Sequence, residues 1–131
     1  MKLEYLHDMT DGGKYKPVTS ENLIRLFDFD QTQTTDLTSV IYHSVLIDKQ
    51  QLDLSSLAFI ELVNCKLVLQ LSSNDNGILK TDEPNQFTCE LTEETFKAAI
   101  ELMKAVDSGY NWLCDTSEDN IDFLYSPGGT W

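Results

Sequence analysis

Tyr110, Trp112, Phe123, Tyr125 and Trp131 stand beside the string Asp115-Thr116-Ser117-Glu118-Asp119-Asn120-Ile121-Asp122, a concentration of aromatic rings and carboxylates in one stretch of the sequence. Side chains of these two kinds recognise Lys and Arg. Carboxylates steer and pair a cationic surface, and aromatic faces add cation–π contacts and desolvated anchors. The candidate partner-binding residues are therefore Tyr110, Trp112, Asp115, Glu118, Asp119, Asp122, Tyr125 and Trp131. Core packing is the other use for the rings: strand alternation puts Tyr110, Trp112 and Cys114 on one face, and Phe123 and Tyr125 together on one face. Both uses hold if Trp112 packs inward while Trp131 or Tyr125 stays outside. The carboxylates do not follow calcium-loop order, which needs ligands at alternate positions, a central glycine and a closing Glu. The order D-T-S-E-D-N-I-D has no glycine and lies between predicted strands, so it reads as a solvated hairpin loop.

Charge widens this reading from one loop to the whole chain. The 131 residues carry 22 acidic and 9 basic side chains, a formal net of −13. Residues 82–131 hold eleven carboxylates against Lys97 and Lys104, a net of −9, leaving −4 for the first 81 residues. Such a field repels nucleic acid and anionic membrane and attracts a basic protein. The remaining chemistry is sparse. Cys65, Cys89 and Cys114 are widely spaced without a CxxC motif, and His7 and His43 are the two histidines, so no zinc-ligand set converges and three reduced thiols are expected. No metal, no cofactor and no catalytic set is expected. No stretch reaches the roughly 18 apolar residues of a membrane span, and Glu4 and Asp8 interrupt the run a signal peptide needs, so the expected location is cytoplasmic.

Two resemblances follow. Leu26-Phe27-Asp28-Phe29-Asp30-Gln31-Thr32 resembles the first motif of haloacid-dehalogenase-type phosphatases, an apolar strand followed by Asp-x-Asp-x-Thr. The resemblance implies that Asp28 attacks phosphorus, that Asp30 serves as acid/base and that Mg²⁺ screens the phosphate. Cys114-Asp115-Thr116-Ser117-Glu118-Asp119 is similar to that family's metal-binding Gly-Asp-x-x-x-Asp, with Cys114 at the glycine position and Gln31 at another. That family has a parallel, doubly wound sheet, whereas residues 32–93 read as β-rich segments without a crossover helix. In size, charge and its aromatic–acidic region 111–131 the chain resembles the small immunity proteins of bacterial toxin–immunity pairs. That resemblance is one of type, without a diagnostic motif. It implies a compact acidic inhibitor of a basic partner such as a nuclease toxin, and it assigns no residue roles.

The elements that would position these residues form a single α+β domain over 1–131, a mainly antiparallel sheet with one long helix, about 92–107, on one face. Lys2–His7 alternates as a first strand, and the Gly pair and Pro17 mark a loop over 8–17. Residues 20–29 fit either a short helix or a strand, and the capping chemistry of Ser20 favours the helix. Leu37–Ile47, rich in β-branched and aromatic residues, reads as a strand. Leu57–Val63 and Lys66–Leu71, separated by Asn64-Cys65, read as a hairpin. Ile78–Lys80, Phe87–Glu90, Tyr110–Cys114 and Ile121–Tyr125 complete the strands. Thr92 caps the helix Glu93–Val106, whose Phe96, Ala99, Ile100, Met103 and Val106 form an apolar stripe that must lie on a sheet in the absence of a second strong helix.

Overall fold

A computed structural model describes residues 1–7, 22–114 and 119–131. The loop expected over 8–17 and the Ser20 cap lie outside the described residues, as do Asp115 and Glu118 of the acidic loop. Over the described residues the chain forms an α+β domain of two mixed sheets and two α-helices. In order the elements are β1 (Lys2–Leu6), β2 (Leu23–Phe27), α1 (Gln31–Val40) with a π-helical continuation Ile41–Ile47, β3 (Leu52–Asp53), a 3₁₀ turn Leu54–Ser56, β4 (Glu61–Leu62), β5 (Lys66–Leu71), β6 (Gly77–Lys80), β7 (Gln86–Leu91), α2 (Glu93–Ala105), β8 (Asn111–Cys114) and β9 (Asp122–Tyr125).

One sheet has the order β4-β1-β2-β9-β8 and the other β3-β5-β7-β6. The expectation of a mainly antiparallel sheet fits only in part, because the strands form two sheets and both are mixed. β1–β2, β3–β5, β6–β7 and β8–β9 are antiparallel, but β1–β4, β2–β9 and β5–β7 are parallel. A single core runs through both sheets and both helices, and Tyr5 of β1 meets Phe87 of β7 with ring centroids 4.7 Å apart.

Helix α2 forms as its sequence requires. The Thr92 side chain accepts the Thr95 N–H, Glu93 and Glu94 occupy the first turn, and Phe96, Ala99, Ile100 and Met103 are buried. Its apolar stripe rests on β7 and β8 and also against α1 and the π-helical turn, so a second helix does receive it. That second helix replaces the strand expected over 37–47. Thr34, Leu37, Thr38, Ile41 and Val45 are all buried, a repeat of three and four residues that suits a helix and would scatter over both faces of a strand. Asp30 starts it with a capping box: its Oδ1 accepts the Gln33 N–H at 2.9 Å while Gln33 Oε1 accepts the Asp30 N–H at 3.3 Å.

Two further expectations change. Residues 23–27 are strand, not helix, because β2 lies between β1 and β9 and both Leu23 and Ile24, on opposite faces, are wholly buried. No hairpin forms at Asn64-Cys65, since β4 and β5 belong to different sheets. The Asn64 side-chain amide accepts the Tyr5 N–H and donates to the Tyr5 carbonyl, both at 2.8 Å. It thereby extends the β1–β4 ladder by one step, and the chain then crosses to the second sheet.

Candidate functional site

The antiparallel β8–β9 pair, formed by the two strands expected from the sequence, builds the aromatic region. Trp112 lies opposite Leu124, and Asn111 opposite Tyr125. Opposed residues share a face. Trp112 therefore shares its face with Leu124 and Asp122 of β9, Arg25 and Phe27 of β2, and Glu4 of β1. The other face carries Ile24, Leu26, Phe123 and Tyr125 into the core.

On the first face three rings form a row. Tyr110 meets Trp112 edge-on at 6.1 Å between centroids, and Trp112 meets Trp131 edge-on at 6.4 Å. Tyr110 is 44% exposed, and both tryptophans are half-buried. Edge-to-face pairs of this kind hold rings rigid before any partner arrives. Trp131 is placed by a hydrogen-bonded tail. Ser126 N–H donates to the Leu26 carbonyl at 3.1 Å and Gly129 N–H to the Ser126 carbonyl at 3.0 Å. Ser126 Oγ donates to the Thr130 carbonyl at 2.9 Å. Arg25 ties the tail to the sheet: one guanidinium nitrogen donates to the Gly129 carbonyl at 2.6 Å, and Nε reaches Glu4 at 2.8 Å. Its guanidinium also lies 4.0 Å from the centre of the Phe27 ring. Arg25 joins segments more than a hundred positions apart, and no local signal in the sequence announces it.

The structure divides the expected partner-binding set. Tyr110, Trp112 and Trp131 come together, and half-buried Asp122 lies on the face of the sheet that carries Trp112. Tyr125 does not belong with them. It is wholly buried, its ring packs 4.4 Å from Phe29, and its hydroxyl bonds Thr34 Oγ1 at 2.6 Å. Burial pushes its phenol up to about 12, the Thr34 bond opposing. Alternation along β9 points Tyr125 inward with Phe123, so it serves as a core residue rather than a surface anchor. Half-buried Asp119 is engaged within the fold, where its Oδ2 accepts the Lys80 N–H of β6 at 2.8 Å. Burial and, second, the nearby Asp119 charge push the Tyr5 phenol up.

The carboxylates of the phosphatase-like string are also committed to local contacts. Asp28, at φ 55°, is exposed and pairs with Lys2 Nζ at 3.3 Å, while Asp30 caps α1. The mixed sheet around β2 differs from a parallel, doubly wound one. Among the described residues no three His, Cys, Asp or Glu side chains gather where they could hold a metal ion.

Cys65 and Cys89 are buried free thiols and Cys114 is half-buried. Burial, with Glu4 second, pushes the Cys65 thiol up to about 12. An open groove of about 450 Å³, lined by Tyr5, His7, Lys80, Glu83 and Phe87 among others, lies where the two sheets meet. No described helix is long and apolar enough to cross a membrane. No family model, no curated protein and no solved structure matches this chain.

Proposed function

We propose that this chain is a small acidic binding protein that neutralises a basic protein partner, in the manner of an immunity protein that occludes the active site of a nuclease toxin inside the cell. The observation that carries the reading is the preformed row Tyr110–Trp112–Trp131. It sits in a stretch, 105–131, that holds Asp107, Asp115, Glu118, Asp119 and Asp122 and neither Lys nor Arg. The guanidinium on the same sheet face, Arg25, is already engaged by Glu4 and the Gly129 carbonyl. Aromatic anchors on a face that also carries Asp122, in a stretch rich in carboxylates, suit a Lys- and Arg-rich surface, giving fast, salt-sensitive association and desolvated contacts once bound.

The test uses the immobilised chain to capture proteins from its source cell, followed by association kinetics with the captured protein. The expected partner is basic, and its association rate falls on the order of tenfold or more between low and physiological salt. Trp112→Ala with Trp131→Ala is expected to speed dissociation, and Asp107→Asn with Asp122→Asn to slow association. A captured partner indifferent to salt and to both pairs of substitutions would refute the assignment.

A further inference from the structure

We propose that the groove between α1 and α2 binds a small organic phosphate, its phosphate held by lysine and hydroxyl donors and its aromatic body resting on an apolar floor. This site is separate from the partner surface. Ile100 of α2 and Phe123 of β9 line one internal void, so the helices and their groove lie on the core side of the sheet, across it from Trp112. The groove has a volume of about 480 Å³, within the range of small-molecule sites. Thr35, Ser39 and Tyr42 form one wall, and Lys97, Glu101 and Lys104 the other. Both walls repeat at i, i+4 and i+7, which on α2 spans two helical turns, about 10 Å. Buried Thr38 and Ile100 lie between them as the floor. Tyr42 is 47% exposed and enters at the start of the π-helical turn Ile41–Ile47, a backbone form that is rare and frequent at functional sites.

Charge says what the groove takes. Lys97 and Lys104 are the two basic side chains of residues 82–131, and both line it. Their pairs within α2, with Glu93 and Glu101, each stand at 3.8 Å between exposed side chains. Such pairs are weak enough for an anion to exchange them, and Glu93 is also reached by Lys49 at 3.4 Å. The Thr35 hydroxyl donates to the Gln31 carbonyl at 3.0 Å and the Thr38 hydroxyl to the Thr34 carbonyl at 2.9 Å. No described residue engages the Ser39 or Tyr42 hydroxyl, so both remain available as donors. An anion in the groove thus meets two ammonium groups and two hydroxyls against one carboxylate, Glu101. A phosphate monoester, with a charge of about −1.5 to −2 at neutral pH and three acceptor oxygens, matches that set. The Tyr42 ring and Ile100 offer its aromatic body apolar surface to cover. The net charge of −13 repels anions at long range, so binding depends on these local donors.

The test is a titration of the full chain with 1-naphthyl phosphate, read by amide shifts in heteronuclear NMR, with 1-naphthol and inorganic phosphate as separate arms. Shifts should gather at Ser39, Tyr42, Lys97 and Lys104 and saturate, and each half of the probe alone should bind on the order of tenfold more weakly. Lys97→Gln with Lys104→Gln should weaken 1-naphthyl phosphate on the order of tenfold while leaving 1-naphthol and Tm unchanged, because both lysines are exposed. Glu101→Gln should tighten binding by removing the one opposing charge. Shifts that are absent or fall outside the groove would overturn the proposal. So would equal binding of 1-naphthol, equal binding of inorganic phosphate, or an affinity indifferent to the double lysine substitution.

Discussion

Replacing Tyr125 by Phe removes one oxygen from a site that is wholly buried. The ring keeps its place against Phe29, so the cost comes from the hydroxyl alone. That hydroxyl bonds Thr34 Oγ1 at 2.6 Å, and Thr34 is itself only 1% exposed, so water does not replace the lost partner. A net hydrogen bond contributes about 1 kcal/mol, and an orphaned buried hydroxyl raises the loss to roughly 1–2 kcal/mol. For a domain of 131 residues that corresponds to a drop in Tm of about 4–8 °C. Thr34→Val should cost a similar amount for the mirror-image reason. The double substitution should cost less than the two singles added, by about 1 kcal/mol, because both partners are then apolar. Thermal melts followed by circular dichroism on the four proteins provide the cycle. If Tyr125→Phe melts with the wild type and the cycle shows no coupling, the residue is not held as described, and a place among the surface anchors becomes open to it again.

The same hydroxyl sets an alkaline limit. Its folded pKa is pushed from 10.0 up to about 12, so above pH 10 the unfolded chain loses this proton while the folded chain keeps it. The stabilisation is complete below pH 10 and is lost as pH rises through 12. Cys65, pushed from 9.0 to about 12, acts with the same sign from pH 9 upward. Stability should therefore fall between pH 9 and 12, and less steeply in Tyr125→Phe; equal slopes would contradict the burial argument.

Two other substitutions test how the tail and α2 are held. Gly129 has φ 74°, and a Cβ there would stand 2.7 Å from an Arg25 guanidinium nitrogen. Gly129→Ala should cost on the order of 1–2 kcal/mol and shift tryptophan fluorescence as Trp131 loses its seat; unchanged emission and Tm would count against the tail contacts. Asp75 accepts the Thr92 N–H and the Thr95 hydroxyl, each at 2.8 Å, and these bonds, the Thr92 one first, hold its carboxyl below the usual 3.8. Its contribution is present above pH 3.8 and lost as pH falls through the lowered value. Asp75→Ala should thus cost about 1 kcal/mol in neutral urea melts, with the deficit shrinking in acid.

The sequence is most readable where local chemistry and packing agree. In α2 the Thr92 cap, the acidic first turn and the Phe96–Met103 stripe all point the same way, and the helix forms where they place it. Residues 37–47 mislead because β-branched composition suggests a strand while the spacing Leu37, Ile41, Val45 suggests a helix. The Asp30–Gln33 capping box and the core packing decide for the helix. At Asn64-Cys65 two strands at hairpin spacing end in different sheets, because a side-chain amide satisfies the backbone of β1. Of the site, the aromatic strand is legible, but the separation of Tyr125 from Trp112 depends on which face of β9 the core covers. The register slip between Trp112 and Cys114 has no sequence signature at all.

The parallel alignment of β2 with β9 has a consequence for how this protein is made. On its β9 side Leu23 finds its neighbour in Asp122, so a nascent chain carries β1 and β2 out of the ribosome long before the strand that completes their sheet exists. Until residues 122–125 emerge, the apolar border of β2 lies open to pairing with other chains. Folding of this sheet therefore waits for residues 122–125 and is slow, as pairing between distant segments generally is. Synthesis that stalls short of β9 should yield a species bound for chaperones or aggregation.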